Sequence, residues 1–259
     1  MDQFSGTGDG NLMATIDHPG TAKNPDNTVN PERVTQSLFD WRDRQIAQKG
    51  GSGSLAAGVA GPEDNVTGRP IEFFTLDNLG EVTETDQYDG DNIPLSDFAD
   101  GLSNLPAADQ NQIVARTIDS FDELGQLYKE QVFSVANGVV AAANLATNFY
   151  YDFNGNMLAE SDPGGLVTKH QYDAADRDIK DSSTDGSLIN GGSMSWAEAN
   201  DSTGANDVVI EQTINKLDAD GNVIETIDRQ RFDNDPATAT GDLAGPSGGS
   251  LASRDYYSD

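Results

Sequence analysis

Four seven-residue segments of this 259-residue chain share one pattern. A large apolar or aromatic residue is followed by Asp, two variable residues, Gly, a polar residue and an aliphatic one. The segments are Leu76-Asp77-Asn78-Leu79-Gly80-Glu81-Val82, Phe121-Asp122-Glu123-Leu124-Gly125-Gln126-Leu127, Tyr151-Asp152-Phe153-Asn154-Gly155-Asn156-Met157 and Leu217-Asp218-Ala219-Asp220-Gly221-Asn222-Val223. Two more copies put Asp in the Gly slot, at Asp43 after Asp40 and at Asp176 after Asp173, and a degenerate copy surrounds Gly10. A repeating unit of a few tens of residues cannot bury an apolar face by itself, so it must pack on its neighbours. That requirement excludes most ordinary folds.

The pattern has a mechanical reason. The first Asp of Asp-x-x-Gly can accept a hydrogen bond from the backbone two residues on, and Gly in the fourth place takes up the positive φ that follows a type I turn in a bulged hairpin. Asp tolerates that conformation better than most residues, so Asp43 and Asp176 can stand in for Gly. The flanks alternate as strands do, as in Ile71–Leu76 and Val82–Thr85, or Val209–Ile214 and Val223–Ile227. Each unit therefore reads as a β-hairpin. The expected fold is all-β, with tandem hairpin repeats forming an extended, curved sheet or shell segment. One array is expected over 1–259, with units near 10, 43, 80, 125, 155, 176 and 221 and a further unit begun at 255–259.

Composition agrees with a turn-rich chain. Of 44 acidic residues 33 are Asp and 11 Glu, beside 27 Gly, and Asp collects at turns and caps where Glu prefers helix surfaces. The net charge of −29 argues against nucleic acid and anionic membranes as partners, because phosphate contacts need clustered Lys and Arg. No apolar run approaches the length of a membrane span, and the first residues form no export signal. With no Cys, disulfides and thiolate chemistry are excluded.

The stretch from Tyr150 to Asp173 resembles the YD repeat of Rhs (rearrangement hot spot) proteins. It carries Tyr151-Asp152, then Gly155, Met157, Asp162-Pro163-Gly164, Thr168 and the next Tyr172-Asp173. The likeness is dense over 149–173 and diluted around Gly80, Gly125 and Gly221. It implies a β-sheet wound into a shell, outside the cytoplasm or at the cell surface, with neighbouring repeats as partners and polysaccharide or an encapsulated toxin domain as further ones. The spacers exceed the spacing of compact arrays, and only Gly155 to Asp176, at 21 residues, matches it. The added residues, among them Gly50–Ser54, Asp181–Gly186 and Asp242–Ser250, read as solvated tips or linkers, with one short helix within Leu105–Gln112. Tyr256-Tyr257-Ser258-Asp259 reads as the opening of another unit, so the chain is expected to be a segment, or an early-terminated relative, of a larger repeat protein.

Chemistry is sparse in this reading. The turn residues Asp77, Gly80, Asp122, Gly125, Asp152, Gly155, Asp173, Asp218 and Gly221 are assigned structural roles. Asp218, Asp220 and Asn222 begin like a calcium loop, but the twelfth position, which should be a bidentate Glu, is Arg229. Turn chemistry already accounts for them, and no cofactor is expected. His18 and His170 belong to repeat strands or turns, outside any catalytic motif. Arg42, Arg44 and Arg177 read as exposed ion-pair partners of turn acids. Trp41, Trp196 and the tyrosines are read mainly as core, with a sugar-stacking surface as the alternative. The functional expectation is a non-enzymatic scaffold or shell segment, the alternative being an extracellular carbohydrate-binding or adhesion module.

Overall fold

The computed structural model describes residues 14–17, 32–53, 69–91, 93–185, 194–201, 207–231, 240–243 and 251–256. The Gly10 copy, His18 and residues 257–259 lie outside them. The described chain is all-β, with fourteen strands. These are β1 (Ala14–Asp17), β2 (Glu32–Phe39), β3 (Gln45–Gly53), β4 (Ile71–Leu76), β5 (Val82–Tyr88), β6 (Ile113–Phe121) and β7 (Leu127–Ala136). They continue as β8 (Val139–Tyr151), β9 (Met157–Ser161), β10 (Val167–Tyr172), β11 (Asp178–Thr184), β12 (Val209–Leu217), β13 (Val223–Arg231) and β14 (Leu251–Tyr256). Helix is confined to single turns, including α1 (Ala107–Gln110) inside the expected helical stretch and α2 (Trp196–Ala199).

The chain divides into two compact units, one of residues 1–119 and 131–144 and the other of 120–130 and 145–259. In the first, β1 to β6 pair antiparallel in sequence order. In the second, the same holds from β8 to β14. Every connection after an even-numbered strand from β2 to β12 is a five-residue turn: 40–44, 77–81, 122–126, 152–156, 173–177 and 218–222. Since neighbouring strands are antiparallel, these turns share one edge within each unit. The connections after odd-numbered strands take the other edge, and the length variation is concentrated there.

The turns close as their residues require. In each, the Asp amide donates to the carbonyl four residues on, at 2.9–3.0 Å. Around the turns at 40–44, 77–81, 152–156, 173–177 and 218–222 the flanking strands shift register as a bulged hairpin does. The Gly slot has positive φ throughout, from +78° to +96° at Gly80, Gly125, Gly155 and Gly221, and Asp43 (+61°) and Asp176 (+57°) adopt it too. Asp162–Leu166, inside the YD-like stretch, closes on the opposite edge with the same backbone hydrogen bond and with Gly165 at φ +93°, but its flanking strands stay in continuous register. Gly155→Val is expected to cost about 1–3 kcal/mol, because a β-branched residue is strained at φ +91°. Its new Cβ would also press on Gln126 Nε2, 3.0 Å away. An unchanged melting temperature would refute the turn.

The long connections build the core. In the first unit, Ile93, Leu95, Phe98 and Leu105, all between β5 and β6, pack on Ala47, Ile71, Phe73, Tyr88 and Ile113 of the strands. Phe98 is fully buried, with ring centroids 5.6 Å from Phe73 and 5.2 Å from Tyr88. In the second unit, Met194 and Ala199, between β11 and β12, cover Ala159 and Val167.

Two stretches expected to be solvated tips are therefore corrected, and the third, Asp242–Ser250, is described only at Asp242 and Leu243. Gly50 to Gly53 end β3, and Asp181 to Thr184 end β11 with Ser182 and Thr184 buried. Leu243 is buried, while residues 244–250 are outside the described ones. Pairing with β12 satisfies the β11 backbone, and alternation turns Lys180, Ser182 and Thr184 to one covered face.

Candidate functional site

The shared edge of Asp turns is the most regular chemical feature. In all six turns the Asp Oδ1 accepts from the amides two and four residues on, at 2.8–3.1 Å: Asp40, Asp77, Asp122, Asp152, Asp173 and Asp218. Asp77 Oδ1 also accepts from the Gly80 amide, at 2.8 Å. Asp218, Asp220 and Asn222, the calcium candidates, sit in one such turn. Asp218 Oδ1 accepts from the Asp220 and Asn222 amides, and its Oδ2 accepts from Asn222 Nδ2 at 3.0 Å.

The turns are also braced to one another. Arg44 binds Asp40 of its own turn through Nε at 2.8 Å and donates from Nη1 to the Asp77 carbonyl of the next, at 2.5 Å. Arg177 repeats the device on Asp173 and reaches the Asp218 carbonyl at 3.3 Å. Asn154 and Asn156 both donate to Asp176 Oδ1 at 2.9 Å, linking their turn to the following one. Arg44 and Arg177 are thus ion-pair partners of turn acids as expected, but half-buried bridges instead of exposed ones, because each guanidinium has enough donors to hold its own Asp and a neighbouring carbonyl. Arg42 is exposed, donates to the Asn78 carbonyl and stacks on Trp41.

These donors favour the ionised turn carboxylates. The Arg177 guanidinium, with the Ala175 amide, holds Asp173 down to about 2. The Asn222 side chain and amide lower Asp218. At Asp40, Asp77 and Asp152 desolvation pushes upward, and the converging donors outweigh it. A depressed folded-state value contributes stability that is full above the ordinary Asp value of 3.8 and is lost as pH falls through the folded value. Acid unfolding should therefore set in between pH 3.8 and about 2. Asp173→Asn should blunt that pH dependence, measured as melting temperature against pH.

On the covered faces, buried lysines hold the long connections down. Lys49 Nζ donates to the Ile93 carbonyl at 2.6 Å. Lys169 Nζ pairs with Asp207 at 2.5 Å and donates to the carbonyls of Glu198 (2.8 Å) and Asp201 (3.2 Å). Lys180 pairs with Asp242 at 3.0 Å, and Gln212 donates to the same carboxylate. None of these lysines is singled out by the sequence pattern, since a Lys at an inward strand position looks like an exposed one until a covering segment is known.

A further cluster joins β10 to β11. His170 Nδ1 lies 2.6 Å from Asp181 Oδ1 and 3.5 Å from Asp178 Oδ2. The hydrogen bond that His170 donates to Asp181 Oδ1 raises the His170 pKa and lowers that of Asp181, whereas burial and the Asp181 charge raise Asp178. The two tryptophans stand away from inward strand positions. Trp41 is 90% exposed on its turn. Trp196 opens α2, donates Nε1 to the Tyr151 carbonyl at 3.0 Å and lies 5.9 Å from Phe153. They are not core.

Neither a family model nor a curated protein matches the sequence. Among solved structures, a crystal structure of TcdB2-TccC3 is similar at TM-score 0.27 and 11% identity, covering 85% of this chain and 15% of that one. A crystal structure of TcdB2-TccC3-TEV is similar at TM-score 0.20 and 12% identity, covering 92% of this chain and 16% of that one. The chain thus spans about a sixth of the length of the structures it matches. Among the described residues no helix is long and apolar enough to cross a membrane.

Proposed function

We propose that this chain is a scaffold segment of a larger YD-repeat protein of the Rhs type, a piece of shell wall at the cell surface or around an enclosed toxin domain, without catalysis of its own. The supporting observation is the bracing of turn to turn. Arg44, Arg177, Asn154 and Asn156 direct their donors to a neighbouring turn instead of converging on a cavity. A wall needs units that hold one another, and its stability grows with each neighbour. The net charge of −29 suits a surface kept off nucleic acid. Electron microscopy of the complete gene product tests the reading: this chain should form part of a continuous β-wall, and a detached domain outside any wall would overturn it.

Carbohydrate binding is the second reading. It rests on Phe153 and Trp196, whose rings are adjacent and respectively 93% and 48% exposed. Glycan-array binding that is lost in Trp196→Ala would favour it over the wall.

A further inference from the structure

We propose that His170, Asp178 and Asp181 form a binding site for a divalent transition-metal ion of the zinc class. His170 and Asp181 face each other across the β10–β11 pair. Asp178 would fall on the opposite face of a regular strand, three residues from Asp181. The register shift that leaves Ile179 without a partner puts Asp178 opposite Tyr172, and so on the His170 face. One imidazole and two carboxylate atoms then lie within 4.8 Å of one another, each on a partly buried side chain. No other such trio of His, Asp or Glu occurs among the described residues.

The repeat itself marks the site. The position five residues after the turn Asp is Val82, Leu127, Met157 and Val223 in the four full copies, the polar but uncharged Gln45 in the Asp40 copy, and Asp178 here. An aliphatic slot has been given a carboxylate, beside another carboxylate and one of only two histidines in the chain. Two carboxylates side by side repel, and a cation between them relieves the repulsion. One nitrogen and two oxygens suit zinc better than calcium or magnesium, which prefer oxygen shells. Three protein ligands leave a fourth position for water. In the metal-free protein the His170–Asp181 contact is a hydrogen bond, so binding at Nδ1 must open it slightly and displace the shared proton, to Nε2 or to solvent.

Isothermal titration of the full chain with zinc chloride, repeated in buffers of different ionisation enthalpy, tests this. Saturable binding of one ion is expected, with calcium and magnesium far weaker, and the buffer series reads how much of the displaced proton leaves the imidazole. Asp178→Val installs the residue type of the four full copies and should fold while weakening zinc about 100-fold or more. His170→Gln and Asp181→Asn should do the same, with circular dichroism verifying the fold of each. Absence of saturable zinc binding, or equal affinity in wild type and the folded variants, overturns the proposal, the latter showing diffuse binding by the acidic surface.

Discussion

Phe98→Ala is expected to destabilise the first unit by about 3–5 kcal/mol, the cost of removing a buried aromatic side chain and leaving a cavity. Phe98 is fully buried and contacts two aromatic rings of the strands, Phe73 and Tyr88. It sits in the 3-10 turn Leu95–Phe98, so its loss removes the main anchor of the whole β5–β6 connection. The melting temperature should fall by about 10 °C. Protease cleavage within residues 89–112 should also become much faster, because a released cover exposes its backbone. A change below about 1 kcal/mol would show that the connection is a solvated loop after all.

The second unit should lose a similar amount in Lys169→Met. Lys169 and Asp207 are 2% and 3% exposed, and removing the ammonium leaves a carboxylate and two carbonyls in a dry site. Breaking one side of such a pair costs about 3–5 kcal/mol. The double variant Lys169→Met/Asp207→Leu removes the orphaned charge and should recover about 1–3 kcal/mol relative to Lys169→Met in urea denaturation. The carbonyls of Glu198 and Asp201 stay unmet, so recovery should be partial. If the double variant were less stable than the single one, the pair would not be the closure of this connection.

The two variants probe what could not be read from the chain in advance. Asp40, Asp77, Asp122, Asp152, Asp173 and Asp218 were legible as turns because every donor closing them lies within four residues. The alternation beside them was equally legible as strands. Asp162–Leu166 was missed as a turn because Pro163-Gly164-Gly165 fits a linker as well as a turn, and the YD spacing around it was the available signal. The residues from Asp181 to Thr184 have the composition of a loop but are held in β11 by pairing with β12, some thirty positions away in the chain. Asp178 could have been noticed, since it breaks the aliphatic slot of the repeat, but its neighbours in space could not.

By itself, then, the sequence determined the hairpins, their bulges and the all-β character of this protein, because hydrogen bonds between residues two to four apart need no wider context. Which face of the strands is covered was decided by tertiary structure. An inward Lys is costly in a bare sheet, and it becomes stabilising only when a distant segment brings an acceptor: Ile93 to Lys49, Asp207 to Lys169, Asp242 to Lys180. The meeting of His170, Asp178 and Asp181 depends likewise on a register between two strands that residue order does not contain.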